Sequence, residues 1–201
     1  MPLTSLAEIK IAASVFGGVA VGPPATIYAG LVIAGTWTAG MTGTSGTTYV
    51  TGTAFTTTNR HIFKCTTSGT AGGSEPAWNQ GNGATTSDGS VVWTEVTILF
   101  GAGTFTNAEP SGNNYSRVTM TNNQTNFPAP TGNSPATGTN GVAITWPQSS
   151  GAWGSAAGIL WSDAASAGNY WSWGLMAALL PVAAGSITPS LPIGQFSWTA
   201  T

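Results

Sequence analysis

The sequence predicts a mainly β protein, an antiparallel β-sandwich or small barrel with one short N-terminal helix. Three observations carry this prediction. Short β patterns recur along the chain, separated by Gly, Asn and Pro turn residues. Helical periodicity is confined to the start. Thr is abundant, and its β-branched side chain suits strands whose outer faces are wet but uncharged.

The helix is expected where Leu3, Leu6, Ile9, Ala13 and Phe16 recur at three- and four-residue steps. Thr4 or Ser5 can cap it, and Gly17-Gly18 stops it. After Pro23-Pro24, the apolar run Tyr28-Ala29-Gly30-Leu31-Val32-Ile33 reads as a buried strand. Further strands are expected over residues 47–50, 61–66, 91–96, 115–120, 142–145, 158–161, 170–173, 187–189 and 196–199. Residues 121–141 are rich in Asn, Pro and Gly and carry few strand signals. A loop of that length is unusual in a lone domain, and lying along a neighbouring subunit would account for it.

Charge narrows the function. The chain has 201 residues, with four Lys/Arg and six Asp/Glu and a net charge of −2. A typical chain of this size carries roughly 50 charges. Four dispersed cations cannot neutralise a row of phosphates, so nucleic acid is excluded as a partner. One His and one Cys are too few for a conventional zinc site, and a lone Cys forms no internal disulfide. No metal or other cofactor is expected. The apolar run over residues 174–185 contains Pro181 and is too short to span a bilayer, and no targeting segment is evident. So few charges leave a poor solubility margin for a free monomer, but not for a protein fixed in a large particle.

Acid/base chemistry has a small pool: Glu8, Glu75, Asp88, Glu95, Glu109 and Asp163. Glu75 and Asp88 could face each other across a cleft as a glycosidase requires, but both sit in turn motifs that account for them. His61 and Cys65 lie four residues apart on one strand, about 13 Å, and form no dyad. No catalytic residue is assigned, and the protein is expected not to be an enzyme. Glu109 and Arg117 are expected to pair across the Pro110-Ser111-Gly112 turn, as a hairpin ion pair or a subunit contact. Trp37, Trp78 and Trp93 either fill a small core or form a glycan-binding platform. Tyr170, Trp171 and Trp173 alternate along a strand, so at least one ring is expected at solvent or at an interface with a partner.

Residues 37–96 hold a compact antiparallel pattern: Ile62-Phe63-Lys64-Cys65, a Gly-rich turn at Gly69 and Gly72, Glu75-Pro76-Ala77-Trp78, Asp88-Gly89 and Trp93. Asp88-Gly89 is a hairpin signal. This segment resembles a small module recurring in tailed-bacteriophage structural proteins and, more loosely, aromatic-rich chitin- and cellulose-binding modules. The remainder carries, in order, residues 25–31, Ala108-Glu109-Pro110-Ser111-Gly112, Tyr115, Arg117-Val118, Thr145-Trp146-Pro147, Trp153-Gly154, Asp163-Ala164, Gly168-Asn169 and Trp173-Gly174. In that order it resembles a tailed-phage virion family of tail-fibre or head-decoration type.

Together the resemblances imply a discontinuous outer β domain, residues 1–35 and 100–201, with a small β module at 36–99 inserted and projecting from it. They imply a non-enzymatic structural protein on the virion surface, as a capsid decoration or tail fibre component. Its partners would be further copies of itself, a trimer being favoured, and major capsid or tail proteins. The alternative is a host-glycan-binding module of a phage adhesin.

Overall fold

The computed structural model describes residues 22, 24–56, 59–97, 108–131, 136–185 and 188–200, the last three of these and residue 136 by backbone alone. The helix expected at residues 3–16 lies outside the described residues, among which there is no helix. Among the described residues fifteen strands form a β-rich structure, antiparallel almost throughout, in layers and without a closed barrel.

The central layer is a four-stranded sheet. It is made of β1 (Thr26–Ile33), β9 (Val118–Thr121), β12 (Gly154–Ser162) and β13 (Tyr170–Val182), in the order β13-β12-β1-β9. β1 pairs with β12 from Tyr28↔Ser162 to Ile33↔Ala156, and with β9 from Thr26↔Thr121 to Ala29↔Val118. The unbroken apolar run of β1 has a direct consequence. Successive side chains leave a strand on opposite faces, so both faces of this sheet need covering. Ala29 and Leu31 enter one core with Ile159 and Trp161, while Val32 enters another with Leu160.

Two small ribbons cover the first face: β10 (Ala136–Thr139) with β15 (Ser197–Ala200), and β11 (Ile144–Thr145) with β14 (Ser190–Leu191). Ile144, Trp146 and Phe196 pack there against Leu31, Ile159 and Trp161. Buried Asn140 ties this layer together, its side-chain amide donating to Val142 O and Pro192 O and its Oδ1 accepting the Phe196 amide.

The second face is covered by a five-stranded sheet, β2 (Gly35–Thr36), β4 (Tyr49–Thr51), β5 (Phe63–Thr67), β7 (Thr85–Asp88) and β8 (Val91–Glu95), in the order β2-β4-β5-β8-β7. A ribbon of β3 (Thr42–Gly43) and β6 (Gly69–Thr70) accompanies it. These strands pair only with one another among the described residues. Their unit nevertheless does not project from the central sheet, as the sequence suggested. Tyr49, Ile62 and Val96 share a core with Val32, Leu160, Tyr170 and Trp173, and Arg60 donates to the carbonyls of Leu175 (3.2 Å) and Met176 (3.3 Å) on β13. An apolar sheet face left open to water is costly, and this unit closes it.

Other differences from expectation have local causes. β12 and β13 run well beyond 158–161 and 170–173, and their register shifts between Ala156 and Gly158. A Cβ at Gly158 would stand 2.6 Å from the Gly174 carbonyl oxygen. β7 and β10 are polar and small in sequence, without the alternation that marks a strand. The described part of 121–141 folds onto its own chain. Asn123 Oδ1 caps the amides of Thr125 and Asn126, and Phe127 meets Trp161 edge-on at 5.4 Å. That removes the reason for assigning this part to a neighbouring subunit.

Candidate functional site

The densest polar site lies where the turn before β9 meets the loop between β12 and β13. Ala108 gives its carbonyl to the Ile33 amide at 2.6 Å, which starts the turn beside β1. Pro110-Ser111-Gly112 then reverses the chain, with Gly112 at φ 70° and Asn113 and Asn114 also left-handed at 51° and 64°. The reversal brings Arg117 onto Glu109. Nε donates to both carboxylate oxygens (3.0 and 3.1 Å), and Nη2 donates to Oε2 at 2.5 Å. Nη1 donates to the carbonyls of Ala164 (2.7 Å) and Ala167 (2.9 Å), and Nη2 also reaches the Tyr170 hydroxyl at 3.3 Å. All five guanidinium N–H groups are used.

Tyr115 completes the network. Its hydroxyl accepts the Leu31 amide and donates to Glu109 Oε1. Burial, with the Glu109 carboxylate beside it, holds the Tyr115 phenol far above its ordinary value. Tyr170 is raised for the same two reasons. Burial works against the Arg117 charge, but the hydrogen bonds and charge of Glu109 outweigh it and hold the guanidinium above its ordinary value. The site therefore sets its ion pair beside phenols that stay protonated near neutrality.

The aromatic candidates fall elsewhere. Trp37 and Trp93 are buried, and both indole N–H groups donate to Asp88 Oδ2, at 2.7 and 3.1 Å. Asp88 Oδ1 accepts the Gly72 amide at 2.7 Å. Neither ring presents a face, which corrects their assignment to a glycan platform: the turn carboxylate draws both indoles inward. Trp78 is half-buried, stacked on Phe63 at 4.2 Å with its N–H on Glu75 Oε1 at 2.7 Å. No coplanar set of open rings results.

Tyr170 and Trp173 are buried in the core beneath the five-stranded sheet, which corrects their placement at an interface. A bulge opposite Trp161/Ser162 takes Trp171 out of the regular alternation, so Tyr170 and Trp173 both turn inward. Trp171 stays half-buried with its N–H 3.4 Å from Asp163 Oδ2.

Sequence reasoning missed two members of these networks. Tyr115 looked like a strand residue, and nothing in the pattern points to its hydroxyl. Fully buried Glu95 faces His61, Oε1 to Nδ1 at 3.1 Å, and accepts the Thr97 amide at 3.0 Å. The signal was there: a lone His two residues before β5, and an acid on β8, which pairs with β5. Cys65 is buried, its thiol donating to the Thr67 carbonyl, and burial raises its pKa. Among the described residues no group of His, Cys, Asp and Glu is arranged to hold a metal ion.

Each described carboxylate thus meets donors from its own chain, which defines a layered all-β protein whose few charges fasten turns to strands. Residues 100–199, about half of the chain, match the family model described as Podophage GP4 fiber I protein gp80. Over those residues the chain is similar to a tailed-phage fibre family. The match does not reach residues 36–99, and no curated protein matches the chain.

Proposed function

We propose that the protein is a non-enzymatic structural component of a tailed-phage tail fibre, exposed on the virion surface. The supporting observation is the use made of its charges. Glu75, Asp88, Glu95, Glu109 and Asp163 each accept hydrogen bonds from side chains or amides of the same chain. General acid/base catalysis needs a carboxyl group free to exchange a proton with substrate. These groups hold the fold, Glu95 through Oε1, its Oε2 being buried without a hydrogen-bond partner.

In this reading residues 1–35 and 100–201 form the outer β domain and residues 36–99 an inserted unit that closes one face of its sheet. Copies of the chain assemble with one another, a threefold arrangement being favoured, and with other tail proteins. Attachment rests on apolar area and backbone pairing, because so few charges are available. Contacts of that kind are weakly screened by salt. Purified particles washed in about 1 M salt, where screening acts over about 3 Å, should keep the protein, as read by mass spectrometry of the washed particles. Its release by moderate salt, or its absence from purified particles, would overturn the proposal. Recovery with capsids lacking tails would place it on the head instead.

A further inference from the structure

A groove of about 620 Å³ opens above the Glu109–Arg117 pair, between the turn at Pro110–Gly112, the loop holding Ala165, Ser166 and Ala167, and Thr47 of the five-stranded unit. We propose that this groove is a binding site for an uncharged saccharide.

Its size lies within the range of ligand sites, about 300–1,000 Å³. Two of its walls are pinned by hydrogen bonds within the chain. One buried guanidinium binds Glu109 at the base of the first wall and the carbonyls of Ala164 and Ala167 in the second. A wall held this way loses little freedom on binding. Backbone strain is concentrated in the same place. The non-glycine residues with left-handed backbone among the described residues are Asn113, Asn114 and Ala167, and all three sit in these two loops. Ala167, at φ 51°, has no polar side chain to favour that conformation. Such strain persists only where the surroundings impose it, and it gathers at ligand sites.

The chemistry of the groove selects the ligand. Arg117 has no N–H left for an anion, and the Glu109 oxygens are already shared among Arg117 and Tyr115. A charged ligand would enter without a counter-charge. What faces the opening is neutral and hydroxylated: Thr47, Ser111, Ser116 and Ser166, all exposed. Hydroxyls both donate and accept, which matches the hydroxyl groups of a sugar ring.

The test uses the full chain labelled with nitrogen-15. Methyl α-glucoside, methyl β-galactoside, N-acetylglucosamine and L-rhamnose serve as neutral probes at tens of millimolar, with N-acetylneuraminic acid and glucosamine as charged ones. At least one neutral sugar should shift the amides of Gly112, Ser116, Ser166 and Ala167, and neither charged sugar should. Filling the groove by Ser166→Trp, or from the other wall by Ser111→Trp, should weaken binding about tenfold or more with the melting temperature unchanged. Trp78→Ala should leave binding intact. The proposal fails if no neutral sugar shifts these amides, if the charged sugars bind as well, or if the shifts centre on Trp78. It does not depend on the fibre assignment, because particle washing and sugar binding are read separately.

Discussion

The Tyr115 hydroxyl stands beside Leu31 where the carbonyl of a neighbouring strand would otherwise stand, accepting the Leu31 amide at 2.9 Å and donating a hydrogen bond to Glu109 at 2.7 Å. β9 pairs with β1 only as far as Ala29, so the rest of that edge needs another partner. A side chain supplies it, and the same side chain secures the ion pair.

Removing that hydroxyl should therefore cost stability. Tyr115→Phe leaves the Leu31 amide without its acceptor and removes one of the donors to Glu109 Oε1, Arg117 remaining. An unsatisfied buried group costs about 1–3 kcal/mol. Urea unfolding should show a loss in that range, and an unchanged midpoint would remove Tyr115 from the network.

Arg117 should be more sensitive. Arg117→Ala leaves Glu109 partly buried without its counter-charge and strips two loop carbonyls of their donor. Breaking one partner of a buried pair costs about 3–5 kcal/mol. Arg117→Lys should recover little, because an ammonium cannot reach the same set of acceptors at once. A double-mutant cycle with Glu109→Gln measures the coupling, and additive losses would show that the two residues act separately.

Stability should fall at both ends of the pH range. Burial raises the Glu75 and Asp163 carboxyls, but hydrogen bonds outweigh it, from Thr53 and Trp78 on Glu75 and from Asn169 and Trp171 on Asp163, and both end below their ordinary values. Their contribution is present above the unfolded-state values of about 4 and is lost as pH falls through the lower folded ones. Tyr49, Tyr115 and Tyr170 are raised by burial. The unfolded chain ionises first above about pH 10, so their contribution is lost as pH rises further. Melting temperatures across the range test both limbs, and Glu75→Gln should flatten the acid one.

The five-stranded unit should prove inseparable from the central sheet. Replacing residues 36–99 by a short linker uncovers Val32, Leu160 and Trp173. Exposed patches of this kind drive association. The shortened chain should aggregate or bind a hydrophobic dye strongly. A monomeric, cooperatively melting product would show that the unit is dispensable for folding.

Much of this was legible in the residues. The apolar run of β1 announces a strand buried on both faces, Asp88-Gly89 announces the β7–β8 turn, with Gly89 at φ 61°, and the spacing of Glu109 and Arg117 announces their pairing. What covers each face was not legible. Alternation says that Tyr49 and Val50 point apart, yet nothing local says that Tyr49 meets the central sheet. Bulges defeat alternation outright, as at Trp171, where one extra residue turns both Tyr170 and Trp173 inward. The Trp candidates failed for a related reason: composition counts rings, but the position of a single carboxylate, Asp88, decides that two of them point inside.

The most direct measurement of the central claim is electron microscopy of intact particles bound by an antibody fragment raised against the exposed turn at Gly81, Asn82 and Gly83. A structural fibre protein predicts fragments decorating the tail fibres at regular positions. Unlabelled particles, or label only where virions have broken open, would contradict it.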